Sequence, residues 1–211
     1  GIATVAVTAG YISPEPRTEF FRHMDAANVD LKAFTEDFYW NITKSHLKDV
    51  LETLKYLKAE TDTWFELTNL VIPDENDSES EFAEMSAWIV ENLGPDVPLH
   101  FTAFHPDWKM TDKPNTPLET VVRARKIAIR NGIRHAYTGN VHDPEGDATY
   151  CHNCGEVMIG RDWYELNTWA VETGGNYTGN CAGCGTPVPG VFEGPPGDWG
   201  RKRLSVDLSA L

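Results

Sequence analysis

The sequence predicts an α/β protein: a partial β/α barrel of about five parallel strands, followed by a small, loop-rich, zinc-ribbon-like module that contains four cysteines. Two observations support this prediction. From residue 1 to about residue 141, short apolar runs alternate with longer helical patterns, which favours parallel strands joined by right-handed crossovers. Beyond that point glycine, asparagine, threonine and tyrosine replace the helical periodicity, and all four cysteines of the chain occur there.

Five strand patterns and four helical patterns occur in the first part of the chain. Strands are expected at 3–8, 27–33, 64–72, 98–104 and 133–140, and helices at 14–24, 47–60, 77–93 and 117–131. Capping signals support the helix limits. Asp77 and Ser78 precede a glutamate-rich first turn, Thr116 precedes a proline at the first helical position, and Asn131 with Gly132 ends the last helix.

The chain is expected to divide into three parts. The partial barrel spans 1–141, the four-cysteine module spans 142–193, and a C-terminal tail spans 194–211 with one short strand at 203–208. A region as loop-rich as 142–193 has little apolar surface to bury, so a bound metal is a physically sensible source of its stability.

Composition excludes several classes of function. The net charge is −14 and the pI is about 4.8, which argues against nucleic acid because phosphate binding relies on clustered lysine and arginine. The longest apolar runs fall far short of the ~18 residues that a membrane span needs. The start lacks the features of a signal peptide, so we expect a cytoplasmic protein. Because the chain begins with glycine inside a strand pattern, we also expect it to be part of a longer protein.

Four cysteines form two C-x2-C-G segments, and they are the strongest local signal in the sequence. The residues are Cys151, Cys154, Cys181 and Cys184. Four thiolates at this spacing can close a tetrahedral site at ~2.3 Å per bond. We interpret the site as structural zinc. Iron, as a single ion or an auxiliary cluster, and redox thiols or disulfides are the alternatives. A closed four-thiolate site has no vacant position, which predicts a role in folding.

Polar residues at the predicted strand ends form a second candidate site. Period-2 alternation puts Asn28, Asp30 and Lys32 on one face of the second strand. Glu66 and Thr68 share a face of the third strand. Charged groups on an inward face are costly to bury without partners. The hypothesis is therefore a small-molecule site at this rim, and the alternative is a structural salt bridge between Asp30 and Lys32.

The fourth predicted strand contributes two histidines to the same rim. His100 is either a ligand contact or a satisfied core histidine, and His105 follows in a loop beside a proline. A metal-dependent hydrolase that uses His100, His105 and Asp30 is a further alternative, although the spacing matches no closed set of ligands.

Several segments together resemble a known family. They are VTAGY at 7–11, DAANVDLKAF at 25–34, ELTNLVIP at 66–73, PLHFTAFHPDWKM at 98–110, TGNV at 138–141 and TYCHNCG at 149–155. This order resembles the AmmeMemoRadiSam-system radical S-adenosylmethionine enzymes, which are relatives of the glycyl-radical-enzyme activases. The resemblance spans nearly the whole chain.

The resemblance implies a role for four residues. It implies that Asp30 and Lys32 contact the ribose and the carboxylate of S-adenosylmethionine, and that His100 reaches the nucleoside. It also implies that Thr8 lines the site near the methionyl end. The chemistry agrees, because a ribose diol suits a carboxylate acceptor and a carboxylate suits a cationic donor.

The sequence also departs from this family. The family's 4Fe–4S cluster is held by a C-x3-C-x2-C motif, which is absent here, as is the glycine-rich segment after the second strand. Ala9 also replaces the family's usual asparagine. We therefore expect the C-terminal part of a radical enzyme. It would position S-adenosylmethionine for cleavage to a 5′-deoxyadenosyl radical, with the cluster supplied by a missing N-terminal half or a partner chain.

This expectation leaves the substrate unnamed, and the chain has an alternative function. The substrate, a protein or a small molecule, stays unidentified. The alternative function is a non-catalytic, zinc-stapled half-barrel that acts as a subunit or scaffold. An unpaired parallel edge is a liability in solution, so this alternative predicts a complex or an oligomer.

Overall fold

The computed structural model describes residues 2–194 of the chain. These residues form two compact units, Ala3–Gly146 and a second that begins at Asp147, and each is described by itself. The predicted strand at 203–208, with all of the predicted tail after Gly194, lies outside the described residues.

The first unit contains a parallel sheet whose five strands follow the order of the chain. Each strand pairs with the next one along the sequence. This topology, with helices between the strands, confirms the predicted partial β/α barrel, although each strand is shorter than its predicted run. The strands are β1 Val5–Thr8, β2 Ala26–Asp30, β3 Trp64–Val71, β4 Leu99–Ala103 and β5 Ala136–Gly139.

Helices connect these strands. They are α1 Pro14–Phe21, α2 Glu36–Phe38, α3 Leu47–Glu60, α4 Glu79–Asn92, α5 Leu118–Arg130 and α6 Pro144–Asp147. A π-helical turn, Tyr39–Thr43, directly follows α2. The sequence predicts four of the helices, but α2, the π turn and α6 are too short for a helical period to show.

Local sequence accounts for the start of α4 but not for the start of α5. Ser78 caps α4 by accepting a hydrogen bond from the Glu81 amide, as its position predicts. The expected cap of α5 is wrong by one residue. Pro117 occupies the cap position, while the Thr116 hydroxyl donates to the Val71 carbonyl and accepts from the Phe104 amide. Thr116 therefore ties the α5 entry to the sheet.

The sheet has one covered face and one open face. Burial alternates strictly along β3, where Phe65, Leu67, Asn69 and Val71 are buried and the residues between them are partly exposed. The buried face packs against the apolar sides of α3, α4 and α5 in a single continuous core. Among the described residues no helix packs on the other face, here called the open face, which carries Asp30, Glu66, Thr68 and His100.

The described part of the second unit, up to residue 194, contains six short strands. They form two three-stranded antiparallel sheets, in the orders β6-β7-β8 and β11-β10-β9. The expected loops are thus partly strands, which are too short and too rich in glycine and asparagine for a strand pattern to show. The strands are β6 Thr149–Tyr150, β7 Val157–Asp162, β8 Glu165–Trp169, β9 Val171–Thr173, β10 Gly179–Cys181 and β11 Pro187–Val188.

Within residues 2–194, none of the helices combines the length and the apolar character needed to cross a bilayer.

Candidate functional site

Strand register brings polar residues level on the open face of the sheet. Asp30 pairs with Thr68, Thr68 pairs with His100, and His100 pairs with Tyr137. Residues paired in a parallel sheet point to the same side, so these four side chains form one row. With strands ~4.8 Å apart, Asp30 and His100 are about 10 Å apart across the row.

Asp30 and Lys32 form an ion pair at the end of β2. The Lys32 ammonium lies 2.9 Å from an Asp30 carboxylate oxygen, and both side chains are about a quarter to a third exposed. The structural salt bridge considered from the sequence therefore exists. Because it is partly exposed, it contributes little to folding and stays accessible to a ligand.

Three buried side chains fix the backbone at Lys32. Its amide donates to the Tyr39 hydroxyl, and its carbonyl accepts hydrogen bonds from the Asn69 and Asn76 side chains. Burial raises the pKa of Tyr39 well above its ordinary value, so its hydroxyl stays protonated. The ammonium group is thus carried on a rigid strand end.

His100 is held by a carboxylate and an aromatic ring. Its Nε2 lies 2.6 Å from Oε2 of Glu66, and its ring stacks on Tyr137 with centroids 4.9 Å apart and planes 21° apart. The Trp64 indole N–H donates to the other Glu66 oxygen at 3.3 Å. His100 is therefore a fixed, partly exposed imidazole on the open face and not a buried core histidine.

Thr8 is not brought together with these residues. It pairs with Val29, which is fully buried, so the register assigns Thr8 to the covered face. Its hydroxyl accepts a hydrogen bond from the Gly10 amide in the turn after β1. Gly10 has φ 68°, and an added Cβ would lie 2.7 Å from Val29, so glycine is required there. The ligand contact implied for Thr8 stays a prediction.

The hydrolase alternative has no support in this geometry. Within residues 2–194, the one group of three or more histidine, cysteine or acidic side chains that could hold a metal is the set of four cysteines. Asp30, His100 and His105 are not in this group, so the three proposed hydrolase ligands do not converge.

The four cysteines do converge, in the second unit. All four sulfurs lie within 4.8 Å of one another, with Cys151 3.6 Å from Cys184 and Cys154 3.7 Å from Cys181. Four sulfurs around one ion at ~2.3 Å are about 3.8 Å apart, so the spacing suits a single tetrahedral ion. It is too long for a disulfide of ~2.05 Å, and all four are free thiols.

Each cysteine pair lies in a tight turn between two strands. The Gly155 amide donates to the Cys151 carbonyl and the Gly185 amide donates to the Cys181 carbonyl, at 2.9 and 2.8 Å. Both glycines have positive φ, near 75° and 72°, which explains the glycine after each C-x2-C segment. The two turns are therefore alike and face each other across the sulfur group.

Two further polar groups contact the sulfur of Cys184. Oγ1 of Thr186 lies 3.1 Å away and the Asn153 amide donates to the sulfur at 3.7 Å. The hydrogen bonds from Thr186, followed by that from Asn153, lower the pKa of Cys184 to about 6. Such contacts favour the thiolate that a metal requires.

Sequence reasoning missed part of the open-face site. Tyr137 lies in the row, Trp64 lies beside it, and Tyr39 supports Lys32 from the start of the π-helical turn that follows α2. The first two could have been found by applying the period-2 alternation to β3 and β5. Tyr39 could not, because no periodic pattern links a residue of this short turn to a strand end.

Comparison with known proteins begins with sequence. No family model matches the chain. An uncharacterized protein of Methanocaldococcus jannaschii is 43% identical over 161 residues, which cover 76% of this chain and 47% of that protein. The chain thus spans about half the length of this curated relative.

Solved structures give the class of fold. A domain of pyruvate-formate lyase-activating enzyme from Bacteroides vulgatus matches 66% of this chain and 83% of its own length, with 18% identity and a TM-score of 0.56. A radical SAM methyltransferase from Sphaerobacter thermophilus matches 64% of this chain and 39% of its own, with 15% identity and a TM-score of 0.53. These likenesses confirm the fold that the sequence resemblance implies: the parallel sheet and its helices are arranged as in these two proteins.

Proposed function

We propose that the open face of the sheet binds S-adenosylmethionine and positions it for reductive cleavage. The observation that carries the proposal is the row in which Asp30 and His100 lie level on one face, with Lys32 paired to Asp30. A carboxylate, an ammonium group and an imidazole on one rigid surface suit a ligand that has a ribose diol, a carboxylate and an aromatic base.

The residues of this chain have separate tasks in that proposal. Asp30 accepts hydrogen bonds from the ribose hydroxyls, Lys32 pairs with the methionyl carboxylate, and His100 contacts the nucleoside. When bound at a reduced iron–sulfur cluster, S-adenosylmethionine supplies a 5′-deoxyadenosyl radical that abstracts hydrogen from a substrate. The chain's contribution is to orient the cosubstrate and to shield it from water.

The cluster itself does not fit this chain. All four cysteines of the sequence belong to one sulfur group in the second unit. None is left for the three-cysteine motif that a 4Fe–4S cluster would need beside the sheet. We therefore propose that another segment or another chain holds the cluster.

The second unit is proposed to hold structural zinc. Four cysteines bound to the separate irons of a cluster would lie further apart than sulfurs bound to one ion. The spacing within 4.8 Å thus favours a single zinc or iron ion. Metal analysis of protein purified without added metal distinguishes these two, and one zinc per chain is expected.

A binding titration tests the cosubstrate proposal. S-adenosylmethionine is titrated into the chain and into Asp30→Asn, and binding is followed by calorimetry. Losing one hydrogen bond to a charged group costs ~1.5–3 kcal/mol, so affinity should fall about 10- to 100-fold. Asp96→Asn is the matched control. Its carboxylate pairs with Arg134 at 2.9 Å in the loops that precede β4 and β5.

Two results would count against the proposal. One is saturable binding that Asp30→Asn and Asp96→Asn leave equally intact, because the ligand would then lie elsewhere. The other is the absence of any binding to the well-folded chain.

A second candidate function, the scaffold, is favoured by the exposed edge of the sheet. Val5 and Val7 of β1 are 63% and 81% exposed, whereas the open-face positions of the neighbouring strands are mainly polar. An apolar edge strand invites a further strand from another segment or chain. A well-folded monomer in gel filtration, unchanged by Val7→Lys, would contradict the scaffold function.

A further inference from the structure

Glu66 contacts two hydrogen-bond donors at once. Its Oε2 faces Nε2 of His100 at 2.6 Å, and its Oε1 accepts from the Trp64 indole at 3.3 Å. An ionised carboxylate has only acceptors, so the short contact requires a proton on the imidazole Nε2. Residues 2–194 make no hydrogen bond to the other ring nitrogen, Nδ1.

We infer that Glu66 is a positioning residue. It holds the proton of the His100 imidazole on Nε2 and leaves Nδ1 as an acceptor for an N–H or O–H group of the bound nucleoside. Stacking on Tyr137 fixes the plane of the ring, so the acceptor direction is fixed as well. This inference rests on the proposed function for its ligand, but the protonation state is a property of the free protein.

The Trp64 contact makes a sharp test available. In Glu66→Gln the side chain keeps one acceptor oxygen, and the indole N–H, which can only donate, holds that oxygen. The amide NH2 then faces His100 and requires a bare Nε2, so the proton should move to Nδ1. In the double variant Trp64→Phe, Glu66→Gln, the indole donor no longer holds the amide oxygen, so this oxygen can turn toward His100 and the Nε2–H form should return.

The measurement is imidazole 15N NMR of the full chain, since protonated and bare ring nitrogens have well-separated resonances. Spectra are taken at about pH 8, above the ordinary imidazole pKa of ~6.5. The chain has seven histidines, so the His100 signals are assigned from their loss in His100→Gln. Asp96→Asn is the control, and it should leave the His100 signals unchanged.

Ligand binding is then read in the same spectra. Titration with 5′-deoxyadenosine should shift the His100 Nδ1 resonance in the wild-type chain. The Glu66→Gln variant, which presents a donor in place of the acceptor, should bind about tenfold more weakly, because one neutral hydrogen bond is lost.

Each outcome decides the inference. An Nε2–H imidazole in the wild type, its switch in Glu66→Gln and its return in the double variant support it. A proton on Nδ1 in the wild type, or an unchanged imidazole in Glu66→Gln, overturns it. Failure of the wild type to bind 5′-deoxyadenosine, with the tautomers as expected, refutes the proposed function and leaves the positioning by Glu66 intact.

Discussion

The two units of this chain are stabilised in different ways. The sheet unit has a continuous apolar core drawn from all five strands and from α1, α3, α4 and α5. Within residues 147–194, the second unit has one cluster of six buried residues, and two of these, Cys151 and Cys181, are candidate metal ligands. We therefore expect burial of side chains to be sufficient for the first unit, and a bound ion to stabilise the second, because few of its described apolar side chains meet.

The largest effect should follow from removing a metal ligand. In Cys181→Ser the second unit is expected to unfold, because zinc binding contributes ~10–16 kcal/mol in modules of this kind and the small core cannot replace it. The sheet unit should stay folded. Hydrogen exchange resolved by peptide measures both units in one experiment.

Two results of that experiment would contradict the different stabilisation of the two units. One is a protected second unit in Cys181→Ser with no bound metal, which would show that its core is sufficient. The other is loss of protection in β3 and β4, which would show that the sheet depends on the metal.

A substitution in the core of the sheet unit should destabilise that unit and leave metal binding by the second unit unchanged. Phe101 is fully buried in β4 and packs edge-on against Phe82 with ring centroids 5.5 Å apart. Phe101→Ala should lower the free energy of unfolding by ~3–5 kcal/mol. Urea unfolding measures this loss, and the zinc content per chain should match the wild type. Reduced zinc content would contradict the independence of the two units.

The fold was predictable to different extents in the two units. Long periodic segments such as α3, whose predicted and observed limits agree at residues 47–60, carry enough repeats to be recognised. The π turn Tyr39–Thr43 and strands such as β6 have at most one or two repeats, so tertiary packing determines them. The cysteine spacing, by contrast, predicted the sulfur group from local sequence alone.

The open-face site shows what alternation can and cannot predict. Alternation correctly put Asp30 and Lys32 on one face, but it could not give the stagger between strands. His100 is the second residue of β4, whereas Asp30 is the last residue of β2, and only the register brings them level. The contact between Glu66 and His100 depends on that same stagger, so it could not be predicted either.

A smaller effect is expected from the polar groups around the sulfurs. Asn153→Ala removes the amide that donates to Cys184 and should weaken zinc binding about 10- to 100-fold. Competition with a chromogenic chelator measures the affinity. Asn176→Ala is the matched control, because Asn176 is exposed in the same unit and makes no contact with the sulfurs. If the two variants bind zinc with equal affinity, the Asn153 side chain does not contribute to zinc binding, and the cysteines alone determine it.

The smallest effect concerns a buried carboxyl group in the sheet unit. Glu81 is 8% exposed, and one of its oxygens accepts a hydrogen bond from the Phe34 amide at 2.6 Å. Burial raises the pKa of Glu81 above its ordinary value, more than the Phe34 hydrogen bond lowers it. The folded unit therefore disfavours the ionised carboxylate, and Glu81→Gln replaces it with a neutral amide that can still accept from Phe34.

The pH dependence of unfolding tests whether the folded unit disfavours the Glu81 carboxylate. Between the ordinary pKa of a glutamate and the raised pKa of Glu81, the folded state keeps the proton that the unfolded state has lost, so the stability contributed by this group falls as the pH rises through that window. Glu81→Gln should flatten this part of the profile and raise the free energy of unfolding at neutral pH by at most ~1.5 kcal/mol. Glu91→Gln, an exposed change on the same helix, should leave the profile unchanged. If Glu81→Gln instead lowers stability at neutral pH, the carboxylate is better paired than its burial implies, and α4 is anchored to the loop after β2 by charge.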